Sequence, residues 1–240
     1  MPEVNASHSA PYRLSPDVYI CVAGGQVVLL DLLSDRYGAV LPPGRLARWV
    51  QGWPVPEGTA ESFDSPQDPV LTGLVKSGWL VSAGAPGKDA QPVRIVSAGA
   101  LLVEPEFGTR PRVTAEQLWR LLRAWARAKW QLARVPVVRI ASARAVARAQ
   151  ARATGELPSA VRDDVAAFLH LLPLLYTVRD GCLLDCLTLL HYLQPRGAFP
   201  EWVFGVQADP FLPHCWVQQG GCVFNDHPER LRSFSPIMVV

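Results

Sequence analysis

The sequence lacks any long uninterrupted apolar segment. Its longest strongly apolar stretch, Val165–Tyr176, contains His170 and Pro173, whereas a membrane-spanning helix needs roughly 20 apolar residues. We therefore predict no membrane span. Met1–Ser15 has no basic start followed by an apolar run, so we also predict no signal peptide and a cytoplasmic location.

The sequence also has little net charge. The formal charge is +2 over 240 residues, which excludes a polycation built to bind nucleic acid. Apolar residues make up 49% and charged residues 18%, a composition that suits a packed core and excludes a wholly disordered chain. This length allows one large domain or two small ones.

Cysteines are few and unevenly placed. There are five, and four of them lie between Cys182 and Cys222. An odd, clustered set leaves three interpretations open, namely disulfides, a metal site or a catalytic thiol. Reducing conditions in the cytoplasm disfavour disulfides.

The N-terminal region favours short strands. Asp17–Ala23 and Gln26–Leu33 are rich in β-branched and apolar residues, and Gly24-Gly25 between them predicts a two-residue hairpin turn. Arg36–Leu41 predicts a third strand, which ends at two prolines because proline cannot donate to a sheet.

We predict two helices after these strands, over Arg45–Trp53 and Asp68–Gly78. The second helix is predicted from the i, i+4 spacing of its apolar residues. Three strands plus helices predict a small winged-helix-like domain over residues 1–82. Residues 83–92 are rich in glycine, alanine and proline and predict a linker. Residues 93–240 then form a helical region and a second domain, so the predicted class is α+β.

The middle of the chain is helical and basic. Thr114 and Gln117 have the spacing of a capping box. The segment Arg110–Arg152 holds eleven basic residues and one acid, a net charge of +10 against +2 for the chain. A solvated helix face and a docking surface for an acidic partner both remain open. No aromatic platform accompanies the charge, so we predict no nucleic-acid binding.

Cys182 is the first candidate functional residue. It lies at the predicted first turn of a helix, where free amides and the helix dipole favour a thiolate. Arg179 adds a positive charge nearby. Cys186, one turn further, is typical of a small buried apolar residue.

His214 and Asp226 are the other two candidates, on the two strands of a predicted hairpin. A two-residue turn at Gly220-Gly221 would place His214 opposite His227 and turn Asp226 to the other face. A three-residue loop beginning at Gln219 would place His214 directly opposite Asp226. A Cys-His-Asp nucleophilic site requires the three-residue register, which is therefore our prediction.

Other interpretations of these residues remain open. Each is also compatible with core packing or a turn. A zinc site would have to draw on both His214 and Cys215, but neighbours on a strand point to opposite faces. We therefore predict no metal and no cofactor.

Several blocks in the C-terminal region match a known family in order. They are Cys182–Gly197, Phe204–Gln207, Pro210–Val217 and Gly221–Asp226. Together they resemble the B protein of lasso-peptide biosynthesis, a leader peptidase with a papain- or transglutaminase-like fold. The resemblance implies that Cys182 is the nucleophile, His214 the general base and Asp226 its orienting partner. The chain departs from the family pattern at Pro213 and Cys215, where small residues are common.

The N-terminal region resembles a small PqqD-like leader-recognition domain, through Gln26–Asp31, Asp35–Tyr37 and Leu71–Leu80. That resemblance implies that a leader peptide adds as a strand to the edge at Arg36–Leu41 and packs against the helix Asp68–Ser77. The candidate leader-binding residues are Tyr37, Leu41, Val70 and Leu74.

These resemblances together imply a cysteine peptidase that binds and removes the leader of a lasso-peptide precursor. They also imply association with the cyclase that closes the released core. Two alternatives remain open, a transglutaminase-like acyl transferase and a leader-binding module without peptidase activity.

Overall fold

The computed structural model describes residues 10–56, 65, 67–103, 111–151, 159–175 and 181–240. The chain divides into two compact units, Met1–Val93 and Arg94–Val240. In the part of the chain described, no helix is both long and apolar enough to cross a membrane. Both units combine strands and helices, which confirms a mixed α and β structure with a strand-rich N-terminal region.

The described residues of the first unit form five strands. The antiparallel order β2-β3-β4 forms one sheet, and β1 pairs with β5. The bounds are Tyr12–Leu14 (β1), Val18–Ala23 (β2), Gln26–Asp31 (β3), Arg36–Val40 (β4) and Leu80–Ser82 (β5). Gly24 and Gly25 have φ of 55° and 75°, left-handed values that a two-residue hairpin turn needs. The predicted hairpin is therefore confirmed.

One of the two helices predicted for this unit is present. Helix α1 spans Pro69–Lys76, and the Asp68 side chain caps it by accepting from the Val70 N–H. The helix predicted over Arg45–Trp53 is wrong, because only a 3-10 turn at Pro43–Leu46 forms there. The Trp49 carbonyl accepts from the Tyr12 N–H, and the Gln51 N–H donates to the Tyr12 carbonyl, so these two groups do not continue the turn as a helix.

Residues 83–92, predicted as a linker, lie within the first unit. Lys88 and Leu14 exchange two backbone hydrogen bonds of 2.9 Å, and the Ala90 N–H donates to the Gln51 carbonyl at 2.7 Å. Ala90 is fully buried in the same core as Leu14. This segment therefore adds to the core of the first unit.

The second unit contains five helices among its described residues. They are α2 (Ala115–Arg134), α3 (Val137–Ala151), α4 (Ser159–Leu175), α5 (Cys182–Leu193) and α6 (Pro228–Leu231). The capping box of Thr114 and Gln117 is confirmed at the start of α2. Helix α5 packs against α2 on one side and against the sheet on the other, so its N-terminus is held at the sheet.

The sheet of the second unit has the order β10-β7-β8-β9-β6. Its strands are β6 (Ala100–Leu101), β7 (Glu201–Gln207), β8 (Leu212–Gln219), β9 (Cys222–Val223) and β10 (Ser235–Val239). All neighbours are antiparallel except β6 and β9, which run parallel.

The predicted three-residue register between β8 and β9 is wrong. Gln219 pairs with Cys222, and Gln218 with Val223, so the turn is the two residues Gly220-Gly221. Their φ values of 56° and 83° are those of a tight primed turn, which consecutive glycines adopt without steric cost. The ladder also stops at Val223, three residues before Asp226.

A buried acidic residue joins three helical segments of this unit. Asp164 on α4 is 2% exposed. It accepts hydrogen bonds from Gln117 and Arg120 of α2 and from Arg196 after α5. This network fixes the helices that lie around α5.

Candidate active site

Cys182 is the first residue of α5, as the sequence predicts. The helix begins after Gly181, which provides no side-chain cap. The thiol is half-buried, so it is neither sealed in the core nor fully solvated. Arg179, the cation expected beside it, lies outside the described residues.

His214 and Asp226 are in direct contact. The His214 Nε2 and Asp226 Oδ2 atoms are 2.5 Å apart, and the two side chains are only 10% and 8% exposed. The other Asp226 oxygen accepts from the His227 N–H at 2.7 Å. The exposed Arg230 guanidinium lies 3.5 Å from the Asp226 carboxylate. Asp226 is therefore held on both oxygens.

The His214 ring also interacts with Cys182. A hydrogen bond between the two side chains influences the protonation of both. Because Nε2 faces Asp226, Nδ1 is the ring nitrogen available to the thiol. The structure thus brings together the three residues singled out from the sequence, although not by the hairpin register expected for them.

Aromatic rings pack beside the imidazole. Phe234 and Trp216 have ring centroids 5.1 and 6.3 Å from that of His214. Gly205 on β7 leaves space for the Trp216 ring, since a Cβ there would lie 2.8 Å from it. These apolar contacts limit the rotation of His214.

The carboxylate sets the charge of the imidazole. Burial lowers the pKa of His214, but hydrogen bonds with Asp226 and Cys182 outweigh it and raise the pKa to about 9. Burial likewise raises the pKa of Asp226, yet the hydrogen bonds from His214 and the His227 N–H bring it below its usual value. Asp226 is therefore ionised at neutral pH and favours a protonated ring.

The pKa of the Cys182 thiol is higher than its position in the sequence predicts. A hydrogen bond with Cys215 and burial raise the pKa of Cys182 to about 12, and the opposing effect of His214 is smaller. Position at a helix N-terminus predicts a lowered pKa, but a neighbouring thiol stabilises a thiolate less than water does. The free protein therefore holds Cys182 as a thiol at neutral pH.

Sequence reasoning missed the role of Cys215. Its Sγ lies 3.7 Å from that of Cys186, and its thiol is the largest influence that raises the pKa of Cys182. All five cysteines are free. The signal was present in the sequence, since Cys215 adjoins His214 at a position where the sequence departs from the pattern that it otherwise resembles.

Asn225 was also missed. Its side chain accepts from the Val217 N–H at 2.8 Å and donates to the Cys186 sulfur at 3.3 Å. Nothing in the local sequence distinguishes it from an ordinary turn residue, because both contacts are made to distant segments.

The four candidate leader-binding residues all lie on β4 or α1 or beside them. Tyr37 is on β4, and Leu41 follows that strand with 57% exposure. Val70 and Leu74 are on α1 and pack partly against the core. Trp79, not anticipated, packs on Gly38 of β4, where a Cβ would lie 2.7 Å from its ring.

Metal binding has no support in the described residues. Among them, no group of three or more histidine, cysteine or acidic residues lies close enough to hold an ion. The residues considered for zinc, which are His214 and the four cysteines Cys182, Cys186, Cys215 and Cys222, form no such group.

Comparison with known proteins identifies the second unit. A model of the transglutaminase-like superfamily matches residues 118–239, a span that includes Cys182, His214 and Asp226. No curated protein and no solved structure matches the chain. The family model covers half of the sequence, and the chain therefore belongs to the transglutaminase-like superfamily.

Proposed function

We propose that this protein is a cysteine peptidase that removes the leader from a ribosomally made lasso-peptide precursor. The observation that carries the proposal is the contact of His214 with both Asp226 and Cys182. A nucleophile, a base and an orienting carboxylate in that order are the parts of a covalent acyl-transfer site. The transglutaminase-like superfamily includes both peptidases and acyl transferases, so the choice of peptidase rests on the resemblance to the leader peptidases.

The proposed mechanism has two half-reactions, acylation of Cys182 and hydrolysis of the thioester. The reactive form has a neutral His214 ring, which a pKa of about 9 leaves as the minor form at neutral pH. In that form His214 takes the Cys182 proton on Nδ1 while Asp226 stabilises the imidazolium through Nε2. Sulfur attacks the scissile carbonyl, and the imidazolium donates its proton to the leaving amine, which frees the core and leaves a thioester. His214 then removes a proton from water, whose oxygen attacks the thioester carbonyl. The carbon–sulfur bond breaks, the leader leaves as a carboxylic acid, and the imidazolium returns its proton to the Cys182 sulfur.

The first unit is proposed to recognise the leader as a winged-helix-like, PqqD-like domain. Strand β4 comes last in the order β2-β3-β4, so a leader strand added beside it would extend this sheet. Leu41 is exposed just after β4, and Val70 and Leu74 are partly accessible on α1. Holding the leader on the same chain as the site raises the effective concentration of the scissile bond.

A cyclase is the proposed second partner. Helix α2 exposes two tryptophans, Trp119 at 62% and Trp130 at 60%, together with Leu118 and Leu122. Basic side chains that include Arg123 and Arg127 are exposed on the same helix. Exposed tryptophan beside arginine is typical of interface centres, and the charge fits an acidic partner surface.

The peptidase proposal is tested with a lasso-peptide precursor from the same gene cluster in ¹⁸O-labelled water. We expect two fragments, with ¹⁸O at the new C-terminus of the leader. Cys182→Ala should abolish cleavage yet keep leader binding, whereas the control Cys222→Ala should cleave normally. Binding without cleavage would support the alternative of a leader-binding module without peptidase activity. Amide formation with an added amine would support an acyl transferase.

Leader recognition is tested by binding of the leader peptide to surface variants. We expect Leu74→Glu and Leu41→Glu to weaken binding by tenfold or more, since each would place a charge in an apolar contact worth about 1.5–3 kcal/mol. Leu33→Glu is the control, because Leu33 is 70% exposed in the turn after β3. Equal effects of all three variants would contradict the proposed leader site beside β4 and α1.

The cyclase surface is tested by gel filtration of a mixture with the cyclase from the same cluster. Trp119→Ser with Trp130→Ser should abolish co-elution, whereas Val146→Ser, which removes an exposed apolar side chain from α3, should not. Co-elution of the double tryptophan variant would exclude this face.

A further inference from the structure

The hairpin that carries His214 ends in an irregular pair. In an antiparallel ladder, a hydrogen-bonded pair exchanges two backbone bonds. The Phe224 N–H donates to the Val217 carbonyl at 2.9 Å, which is one of the two. The returning bond, from the Val217 N–H, goes to the side-chain oxygen of Asn225 at 2.8 Å. Asn225 therefore takes the place that the Phe224 carbonyl would have in a regular ladder.

This substitution decides where Asp226 points. Continued in the observed register, the ladder would set His214 opposite His227 and turn the Asp226 side chain to the other face. The chain instead leaves the ladder at Asn225, and Asp226 reaches His214 at 2.5 Å. Had the ladder continued in the observed register, Asp226 could not have made its contact with His214.

A second bond ties Asn225 to the nucleophile's helix. Its amide nitrogen donates to the Cys186 sulfur at 3.3 Å, and Cys186 lies fully buried one turn after Cys182 on α5. The Cys186 thiol in turn donates to the Cys215 carbonyl at 3.3 Å. One carboxamide therefore connects the strand of His214, the loop of Asp226 and the helix of Cys182.

We infer that Asn225 is a positioning residue, which ends the hairpin ladder so that Asp226 meets His214 and which fixes both to the helix of Cys182. It touches neither the thiol of Cys182 nor the His214 ring, and it acts through Asp226. The inference rests on the proposed roles of the three site residues and not on the identity of the substrate.

The inference is tested without substrate by NMR titration of the full-length protein. The groups that face His214 are Cys182 from α5 and Asp226, with Arg230 beyond the carboxylate. The wild-type ring should titrate near pH 9. In Asn225→Ala, loss of the aligned carboxylate should lower that midpoint by about 1–3 units. His214→Gln assigns the resonance.

A double-mutant cycle separates positioning from general stability. If Asn225 acts through Asp226, Asn225→Ala should change the His214 midpoint little once Asp226→Asn is present. Additive shifts, or a lowered melting temperature with an unchanged midpoint in Asn225→Ala, would overturn the inference. Gln219→Ala, which removes a carboxamide from the same hairpin, is the control and should leave the midpoint unchanged.

A second variant covers the case in which Asn225→Ala does not fold. Asn225→Gln keeps the amide but lengthens the side chain, which moves its oxygen away from the Val217 N–H. We expect a lowered His214 midpoint for this variant too, and a wild-type midpoint would overturn the inference. Because no precursor is present, failure here is distinguishable from failure of the peptidase proposal, which the cleavage experiment decides.

Discussion

The reactivity of Cys182 depends on two neighbours with opposite effects. His214 favours the thiolate, and the Cys215 thiol together with burial disfavours it. Residue type, order and a family resemblance single out Cys182, His214 and Asp226 in the sequence, and the structure places His214 against the other two. The protonation state could not be predicted from the sequence, since it depends on Cys215 and on burial, which become apparent only when strand and helix are packed.

Replacing Cys215 should therefore lower the pKa of Cys182 and make its thiol more reactive at neutral pH. We expect Cys215→Ala to shift the pH dependence of Cys182 alkylation by iodoacetamide to lower pH, because the variant removes the largest contribution that raises the thiol pKa. Mass spectrometry of each cysteine after limited labelling measures the shift. Cys222→Ala, a half-buried cysteine on β9, is the control and should label Cys182 as wild type does.

The charge of His214 should also make the free energy of unfolding depend on pH. Its pKa in the folded protein is about 9, above the ordinary 6.5, so protonation stabilises the fold fully below pH 6.5. That stability is lost as pH rises through 9. We expect the free energy of unfolding of wild type to exceed that of His214→Gln at pH 6. This difference should fall by on the order of 2 kcal/mol between pH 6 and pH 10, after allowance for partial solvent screening. Urea unfolding at both pH values measures it, and a pH-independent difference would contradict the raised pKa.

Among the secondary-structure elements, those with local signals could be predicted. Helix α2 forms where Thr114 and Gln117 make their capping box, and the first hairpin forms where two glycines meet. The second hairpin shows the limit of this approach. Its turn was predicted wrongly as a three-residue loop, because the pairing of His214 with Asp226 was assumed to need a continuous ladder. The two-residue turn forms instead, and the ladder ends where Asn225 bonds to Val217 and Cys186, which no local pattern reveals.

The helices around α5 should depend on one carboxylate. Asp164→Ala would leave Arg120, whose side chain is 10% exposed, without its buried partner. We expect a loss of about 3–5 kcal/mol in the free energy of unfolding, measured by urea denaturation. Asp163→Ala, at the exposed neighbouring position on the same helix, should change it by no more than about 0.5 kcal/mol.

At the scale of the whole molecule, composition predicted two domains with a linker at residues 83–92, whereas this segment lies within the first unit. Glycine, alanine and proline between residues 83 and 92 are typical of a linker, yet Ala90 is buried and Lys88 pairs with Leu14. Small residues are equally suited to close packing of a strand-like segment. Composition alone could not distinguish these uses, because they differ only in the contacts made with distant residues.

Two truncations measure the contribution of that segment. We expect residues 1–93 to be more stable than residues 1–82, which lose Ala90 and the backbone bonds to Leu14 and Gln51. Three backbone hydrogen bonds at roughly 1 kcal/mol each set the expected scale at a few kcal/mol. Thermal unfolding compares them, and equal melting temperatures would indicate a true linker. A chain of residues 1–93 with Ala90→Gly serves as the intermediate case.

The parallel pairing of β6 with β9 has a kinetic consequence. Ala100 pairs with Cys222, so closing this contact joins positions roughly 120 residues apart, and such long-range closure slows folding. The turn that leads to Asn225 and Asp226 is completed at the same place. Alkylation of Cys182 should therefore regain its native pH dependence only in the slowest phase of refolding, after the helices have formed, so that the nucleophile is present well before it is reactive.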